Sequence, residues 1–183
     1  MQIPVTQINA AGGAMTQLYD NTASGVIASW DLSGIAGTYA SLLIYVNARG
    51  DDAGGGPINL WLRFNADSGA NYDWQLLQGN GATVTSSNNF ANLAIFSGYL
   101  PNATATANKP LVSRIEIPNY SGTVFHKETF AQNSAVTGTA LSTTWTVQIQ
   151  GVWRSTAAIN QITVLPSIGN FVAGSRLTIY GLL

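Results

Sequence analysis

The 183-residue chain has no cysteine, a single histidine and few charged side chains. Without cysteine there is no disulfide framework, zinc–thiolate site or thiol nucleophile, and one histidine excludes a metal site built on several. Only 8% of the residues are Asp, Glu, Lys or Arg, against about 25% in an average soluble domain. A net charge of −1 with scattered cations offers no electrostatic footprint for nucleic acid or an anionic membrane, so we expect neither as a partner.

Long apolar runs are also missing. No stretch of about 20 apolar residues exists that could span a membrane. The first residues lack the basic and apolar regions of a signal peptide, so we expect synthesis in a cytoplasm. Disorder is disfavoured because 46% of the residues are apolar, with five Trp, seven Tyr and six Phe.

Neutral polar groups take the place of the missing charges. Asn, Gln, Ser and Thr together account for 58 residues. A free monomer usually relies on more surface charge than this chain has for its solubility. Two interpretations follow: a neutral surface rich in hydroxyls and amides, or a surface covered by neighbouring subunits in an assembly.

Alternation of apolar and polar residues is the dominant periodicity, and it predicts strands. The clearest segment is 145–153, in which Trp145, Val147, Ile149, Gly151 and Trp153 share one face. Further strands are predicted within Val26–Leu32, Leu42–Asn47, Ile58–Phe64, Tyr72–Leu77, Leu93–Tyr99, Arg114–Ile117, Thr123–Phe130, Ile159–Leu165 and Arg176–Tyr180. Clusters rich in Gly, Asn, Ser and Pro predict loops at Arg49–Pro57, Asn65–Asn71, Gly79–Asn89, Pro101–Pro110, Gln132–Thr139 and Pro166–Asn170.

About 8 to 10 short strands at this spacing predict an all-β fold, an antiparallel, jelly-roll-like β-sandwich. We assign residues 21–183 to a single β-sandwich domain and residues 1–20 to an N-terminal arm or extended segment.

Catalytic sets are not evident in the sequence. His126 lies in a predicted strand, and no Gly-x-Ser-x-Gly elbow accompanies it for a Ser–His–Asp triad. Two carboxylates facing each other across a groove would suit a glycosidase, but spacing in sequence does not test this. We therefore predict no enzyme, no catalytic, cofactor-binding or metal-binding residue, and no cofactor.

Two short motifs have ordinary explanations. The segment Asn65–Asp73 places oxygen side chains at alternate positions, as at the start of a calcium loop. Its twelfth position is Leu76 rather than the bidentate Glu, so a hairpin turn is favoured over a cation site. The tripeptide Arg49-Gly50-Asp51 spells an integrin motif, yet it opens a glycine-rich loop and is also interpreted as a turn.

Four segments in order resemble a β-sandwich domain that recurs in virion structural proteins of tailed bacteriophages and prophages. They are Ala28–Tyr39 followed by Leu42–Arg49, Leu62–Tyr72, Ile117–Thr123 with Lys127 behind it, and Trp153–Ile159 leading to Gly169–Leu182. The pattern Phe-x-x-Gly-Ser-x-x-x-x-Tyr-Gly at residues 171–181 is the most distinctive piece. The chain departs from the pattern at Ala66 and Ile179, and residues 1–25 lie outside the resemblance.

The resemblance implies a non-enzymatic structural protein located in the virion and made in the host bacterial cytoplasm. Capsid decoration at the head surface is the favoured role. Its expected partners are copies of itself, a trimer being one such arrangement, and other virion proteins such as major capsid or tail proteins. Strand faces such as Thr146, Gln148 and Gln150, together with the N-terminal arm, are expected to lose solvent in the assembly.

The alternative is a tail- or fibre-associated module that binds carbohydrate or a host receptor. Its motivation is the neutral amide-rich composition together with Trp61, Trp74 and Trp153, which we predict to be exposed and able to stack on sugars. A host-surface glycan would then be a partner.

A few residues are predicted to determine the fold rather than a site. Phe171 offers a large apolar anchor, and Tyr120 and Tyr180 each combine a buried ring with a hydroxyl for a backbone acceptor. Arg63 and Arg176 are expected to pair with Asp67 or Asp73.

Overall fold

The computed structural model of the chain describes residues 15–81, 83–138 and 143–183. Twelve strands occur within these ranges, and no α-helix. Their bounds are β1 Met15–Thr22, β2 Trp30–Ser33, β3 Ser41–Ala48, β4 Ile58–Phe64, β5 Tyr72–Asn80, β6 Thr83–Asn92, β7 Ile95–Leu100, β8 Leu111–Pro118, β9 Lys127–Val136, β10 Thr144–Trp153, β11 Gln161–Pro166 and β12 Arg176–Leu182.

The strands form two sheets in which every pairing is antiparallel. The larger sheet has eight strands in the order β1-β12-β3-β8-β9-β10-β5-β6, and the smaller has four in the order β2-β11-β4-β7. Apolar side chains alternate inward along β3, β4, β8 and β10, which is the pattern of strands with one buried face. The predicted all-β sandwich is confirmed.

The connectivity is that of a jelly roll with two added hairpins. Strands pair as β1 with β12, β2 with β11, β3 with β8 and β4 with β7, so the four pairs are nested along the chain. This is a long hairpin rolled into two sheets. The inserted pairs β5–β6 and β9–β10 both join the larger sheet, which therefore extends past the smaller one.

The described strands number twelve rather than 8 to 10 because β6 lies in a predicted loop and β1 begins in the predicted N-terminal segment; a second predicted loop lengthens β9 without adding a strand. Gly79–Asn89 includes the end of β5 and most of β6, and Gln132–Thr139 includes the second half of β9. Turn-forming residue types misled the prediction, because main-chain pairing to β5 and β10 keeps these polar segments in the sheet.

The predicted N-terminal segment is partly a strand. Residues 15–20 belong to β1, which pairs with β12 at one edge of the larger sheet. Residues 1–14 of that prediction lie outside the described residues.

The core lies between the two sheets and closes around aromatic anchors. Phe171 is fully buried, with its ring centroid 4.2 Å from that of Trp30. Tyr120 is also fully buried, and its hydroxyl donates to the carbonyl of Ala36. Burying such a side chain contributes about 1.5–3 kcal/mol. The predicted structural roles of Phe171 and Tyr120 are thus confirmed, whereas Tyr180 is half-buried, with its ring edge-on to Tyr45, so its predicted burial is wrong.

Among the described residues, neither Arg63 nor Arg176 forms a close ion pair with Asp67 or Asp73, although the charge of Arg63 helps to lower the pKa of Asp67. Arg176 pairs with Asp20 at 2.6 Å across β12 and β1. Arg63 donates to the carbonyl of Leu93 at 2.9 Å, while Asp73 lies 3.6 Å from Arg154. Strand register, which the sequence does not reveal, decides which carboxylate each arginine meets.

Candidate functional site

Four neighbouring strands of the larger sheet, β9, β10, β5 and β6, present an outer face that is uncharged except at one end, where Glu128 and Asp73 flank Val152. Their alternate side chains point away from the smaller sheet and are exposed. We call this surface the amide face and define it by Gln75, Leu77, Ser86, Asn88, Phe130, Gln132, Ser134, Thr146, Gln148 and Gln150. The predicted exposed row Thr146, Gln148 and Gln150 lies at its centre, on β10.

Strand register places glutamine side chains next to other neutral side chains on the amide face. Gln148 lies opposite Gln132 on one side and Leu77 on the other. Gln150 lies opposite Phe130 and Gln75. Each glutamine amide carries both donors and acceptors. The arrangement can therefore hydrogen-bond to another neutral polar surface, with Phe130 and Leu77 as apolar contacts.

Charged groups lie at the margins of the amide face. Glu128 is exposed near the start of β9. Asp73, at the start of β5, accepts a hydrogen bond from the main-chain nitrogen of Ala91 at 2.9 Å and lies 3.6 Å from Arg154. On β8, Arg114 and Glu116 pair with each other at 3.3 Å. Because these charges are balanced or peripheral, the face carries little net field.

The size of the surface can be compared with that of protein interfaces. Four strands about 4.8 Å apart and roughly eight residues long cover on the order of 500 Å². A standard protein–protein interface buries about 800 Å² per partner, and one of about 500 Å² per partner is at the small end of specific interfaces. The amide face alone is thus the size of a small interface. The outer face of β8, which would enlarge it, carries the Arg114–Glu116 pair beside Gln132 and Phe130.

Strand β6 adds an edge to this surface. None of its ten residues is buried, and among the described strands it pairs with β5 alone. It contains no charged residue and no proline, two devices that keep an edge strand from pairing with another chain, but a bulge interrupts its pairing near residues 89–92. The regular part of the edge, residues 83–89, is therefore the part that a partner strand could meet.

The tryptophans predicted to be exposed differ in their surroundings. Trp153 is buried at 3% exposure, and its indole N–H donates to Asp67 at 2.7 Å; its predicted exposure is wrong because it points into the sandwich beside Phe64. Trp61 is half-buried, 5.6 Å from the guanidinium of Arg63. Trp74 is half-buried against Phe96.

His126 lies in a surface depression, not in a strand. It is exposed and immediately precedes β9, so the predicted strand position is wrong. The depression is about 600 Å³ and is also lined by Phe125 and Glu128. Among the hydrogen bonds of the described residues, none joins His126 to a serine or an aspartate, so these residues do not assemble a triad.

The segment Asn65–Asp73 forms a turn whose carboxylate is occupied by protein donors. Asp67 accepts hydrogen bonds from the main chain of Gly69, from Asn71 and from Trp153. Burial raises the pKa of Asp67, but these hydrogen bonds outweigh burial and hold the pKa below its ordinary value. Across the described ranges, no cluster of three or more His, Cys, Asp or Glu side chains occurs.

The tripeptide at residues 49–51 is held by hydrogen bonds within the fold. The Arg49 guanidinium donates to the carbonyls of Asn102 and Thr106. Asp51 accepts two hydrogen bonds from Asn170, which lower the pKa of its carboxyl. Gly50 forms an isolated bridge with Phe171. The interpretation as a structural turn is consistent with these contacts.

Sequence patterns identified only part of this candidate site. Alternation marked Thr146, Gln148 and Gln150 on β10, but Ser86, Asn88, Gln132 and Ser134 lie in segments predicted as loops. The one signal that could have found Ser86 and Asn88 is the Thr-Val-Thr start of residues 83–89, which contain neither glycine nor proline.

Comparison of the chain with protein-family models, with curated proteins and with solved structures finds no match. No helical segment of membrane-spanning length and hydropathy occurs in the part of the chain that the structure describes.

Proposed function

We propose that this chain is a non-enzymatic structural protein that assembles in multiple copies through the amide face, as a component of a bacteriophage virion. Capsid decoration is the position we favour within the virion. The observation that carries the assembly is the amide face itself: exposed, uncharged and continuous across β9, β10, β5 and β6.

A second copy of the chain is the partner that suits this face. Meeting itself across a twofold axis requires a surface that does not repel its own image. The ten residues of the face carry no charge, so no like charges are brought together. Glutamine and serine side chains on one copy can donate to, and accept from, the same residue types on the other.

Apolar burial supplies the favourable energy of this contact. Phe130 is 45% exposed and Leu77 is 51% exposed. Covering 45% of a phenylalanine surface of about 200 Å² removes about 90 Å² from water, which is worth about 2 kcal/mol per copy. The amide pairs then contribute specificity, because an unmade hydrogen bond in a buried interface costs about 1–3 kcal/mol.

Sedimentation velocity over a range of protein concentrations tests the assembly. Phe130→Lys places a charge at the face and is expected to shift the protein to monomer. Ser68→Lys adds the same charge on the exposed β4–β5 turn, away from the face, and is expected to leave the assembly unchanged. A wild-type protein that is monomeric at every concentration, or two variants that behave alike, would contradict the proposal.

The virion setting is supported by the resemblance of residues 26–183 to phage structural domains. Its test is quantitative mass spectrometry of particles purified from the source host. Hundreds of copies per particle are expected for capsid decoration, and a few to a few dozen would instead assign a fibre, neck or baseplate position. Absence of the chain from the particles would overturn the virion setting while leaving the assembly test unaffected.

A further inference from the structure

Among residues 15–81, 83–138 and 143–183, none packs over the outer half of the inner surface of the β5–β6 hairpin. The smaller sheet ends at β7, which packs against β9, β10 and β5. Strand β6 lies one strand further out, and its inward-facing residues are as exposed as its outward-facing ones. We call this overhang the shelf and define it by the inward-facing residues Gln78, Asn80, Thr83, Thr85 and Ser87.

A row of four aromatic rings runs beside the shelf. Its centroid spacings are 5.3 Å from Trp74 to Phe96, 4.8 Å from Phe96 to Tyr99 and 4.9 Å from Tyr99 to Trp145. Phe96 is buried, whereas the other three rings are half-buried and pack against the core. The row therefore runs from β5 through β7 to β10. Part of each ring of Trp74, Tyr99 and Trp145 is accessible.

Hydrogen bonds order the polar groups that lie next to these rings. The hydroxyl of Tyr99 donates to Gln78 Oε1 at 3.0 Å, and Gln78 Nε2 donates to Thr85 Oγ1 at 3.0 Å. Since Thr85 accepts in this chain of bonds, its own hydroxyl hydrogen is available to a ligand. Burial raises the pKa of Tyr99, which keeps its hydroxyl protonated. The Tyr99 phenol, the Gln78 amide and the Thr85 hydroxyl are therefore held in a fixed arrangement.

Neither the shelf nor the aromatic row contains a charged side chain. A charged ligand would find no counter-ion among these nine residues, and charged groups are costly to desolvate without one. A neutral ligand with many hydroxyls and apolar C–H faces fits both halves of the surface, because its hydroxyls pair with amides and its C–H faces pack on rings.

We propose that the shelf and the aromatic row form a binding groove for a neutral oligosaccharide. The ligand lies along the inner face of β5 and β6, its sugar rings contact Trp74 and Tyr99, and its hydroxyls bond to Gln78 and Thr85. The groove is on the opposite side of the sheet from the amide face, so binding does not depend on assembly. A peptide would be expected to pair with the free edge of β6 instead, where no aromatic row lies.

Isothermal titration with a defined panel of probes tests the groove. The panel contains neutral hexasaccharides of glucose, mannose, galactose and xylose, one acidic hexasaccharide of galacturonate, and an uncharged ten-residue peptide. Binding of at least one neutral hexasaccharide is expected, with a change in tryptophan fluorescence. If no neutral hexasaccharide binds, or only the acidic one or the peptide binds, the proposal is overturned.

Matched variants locate the binding site. Gln78→Ala and Trp74→Ala are each expected to weaken binding about tenfold or more, whereas Trp61→Ala, on the outer side of the smaller sheet, is expected to leave affinity unchanged. Gln78→Ala removes only a half-buried amide at the margin of the sheet, so we expect this variant to fold. The test can therefore be made with Gln78→Ala even if Trp74→Ala does not fold. Equal affinities for Gln78→Ala, Trp61→Ala and wild type would refute the groove. Phe130→Lys should bind normally, which separates this result from that of the assembly test.

Discussion

Arg49 is the residue whose replacement we expect to cost the most stability outside the apolar core. Its guanidinium donates to four main-chain carbonyls of the β7–β8 connection: Thr106 at 2.6 Å, Asn102 at 2.8 Å, Lys109 at 3.0 Å and Ala105 at 3.3 Å. The connection runs over one end of the sandwich, and these bonds satisfy carbonyls that would otherwise need water.

The size of the effect follows from the number of bonds. At about 1 kcal/mol net per bond, Arg49→Met loses all four and lowers the free energy of unfolding by about 4 kcal/mol. Arg49→Lys keeps the charge, but its compact ammonium reaches about two of the carbonyls, so a loss of about 2 kcal/mol is expected. Because each kcal/mol lowers Tm by about 2–4 °C in a chain of this size, the two variants should melt about 8–16 °C and 4–8 °C lower.

Guanidinium chloride unfolding followed by tryptophan fluorescence measures these differences. Arg114→Lys is the matched control, because Arg114 is an exposed arginine whose only described ionic contact is Glu116, and such surface pairs contribute about 0–1 kcal/mol. If Arg49→Lys were as stable as wild type, the forked geometry of the guanidinium would not be the cause and the reasoning would be refuted.

Two further substitutions probe the interior. Lys127 is buried at 2% exposure and donates to the carbonyls of Phe125 and Thr156 rather than to a carboxylate; burial lowers its pKa. The folded state therefore binds fewer protons at Lys127 than the unfolded state does near lysine's ordinary pKa of about 10.4, so the contribution of Lys127 to the unfolding free energy should rise as the pH approaches that value. Burial raises the pKa of Tyr19, Tyr72 and Tyr99, which acts in the opposite direction over the same range, so the difference between wild type and Lys127→Met isolates the lysine. That difference should shift in favour of wild type between pH 8 and 11, and at pH 7 it should stay within about 2 kcal/mol because two lost carbonyl hydrogen bonds oppose the relief of a buried ammonium group; a difference that stays constant in denaturant titrations from pH 8 to 11 would contradict this. At Gly151, an added Cβ would overlap Ile95 and lie 2.6 Å from Thr129 Oγ1. Gly151→Ala should therefore lower the free energy of unfolding by about 1–3 kcal/mol, as measured by calorimetry. An unchanged Tm would contradict this close packing.

The strands that sequence patterns could predict are those with one buried face. In β4, Ile58, Leu60, Leu62 and Phe64 alternate with half-buried residues, and the burial of alternate side chains is what creates the pattern. Strand β6 has no buried residue, so burial leaves no trace in its sequence. It is held in place by main-chain pairing to β5, which any residue type other than proline can make.

The candidate surfaces needed the sheet order as well. The amide face exists because β5 pairs with β10, a strand about seventy residues later in the chain, and no local pattern specifies that pairing. Likewise, Trp74, Phe96, Tyr99 and Trp145 come from three strands and form a row only after β7 packs beneath the larger sheet. Composition correctly indicated a neutral, amide-rich surface, but not where it would be continuous.

The most direct measurement of the central claim is the accessibility of a single thiol on the amide face. The chain has no cysteine, so Gln148→Cys introduces the only thiol, and Ser68→Cys provides the control on the β4–β5 turn. Alkylation rates are measured from low to high protein concentration. We expect the rate at position 148 to fall tenfold or more as copies associate, while the rate at position 68 stays constant. Rates that are equal at both positions and independent of concentration would contradict assembly through this face.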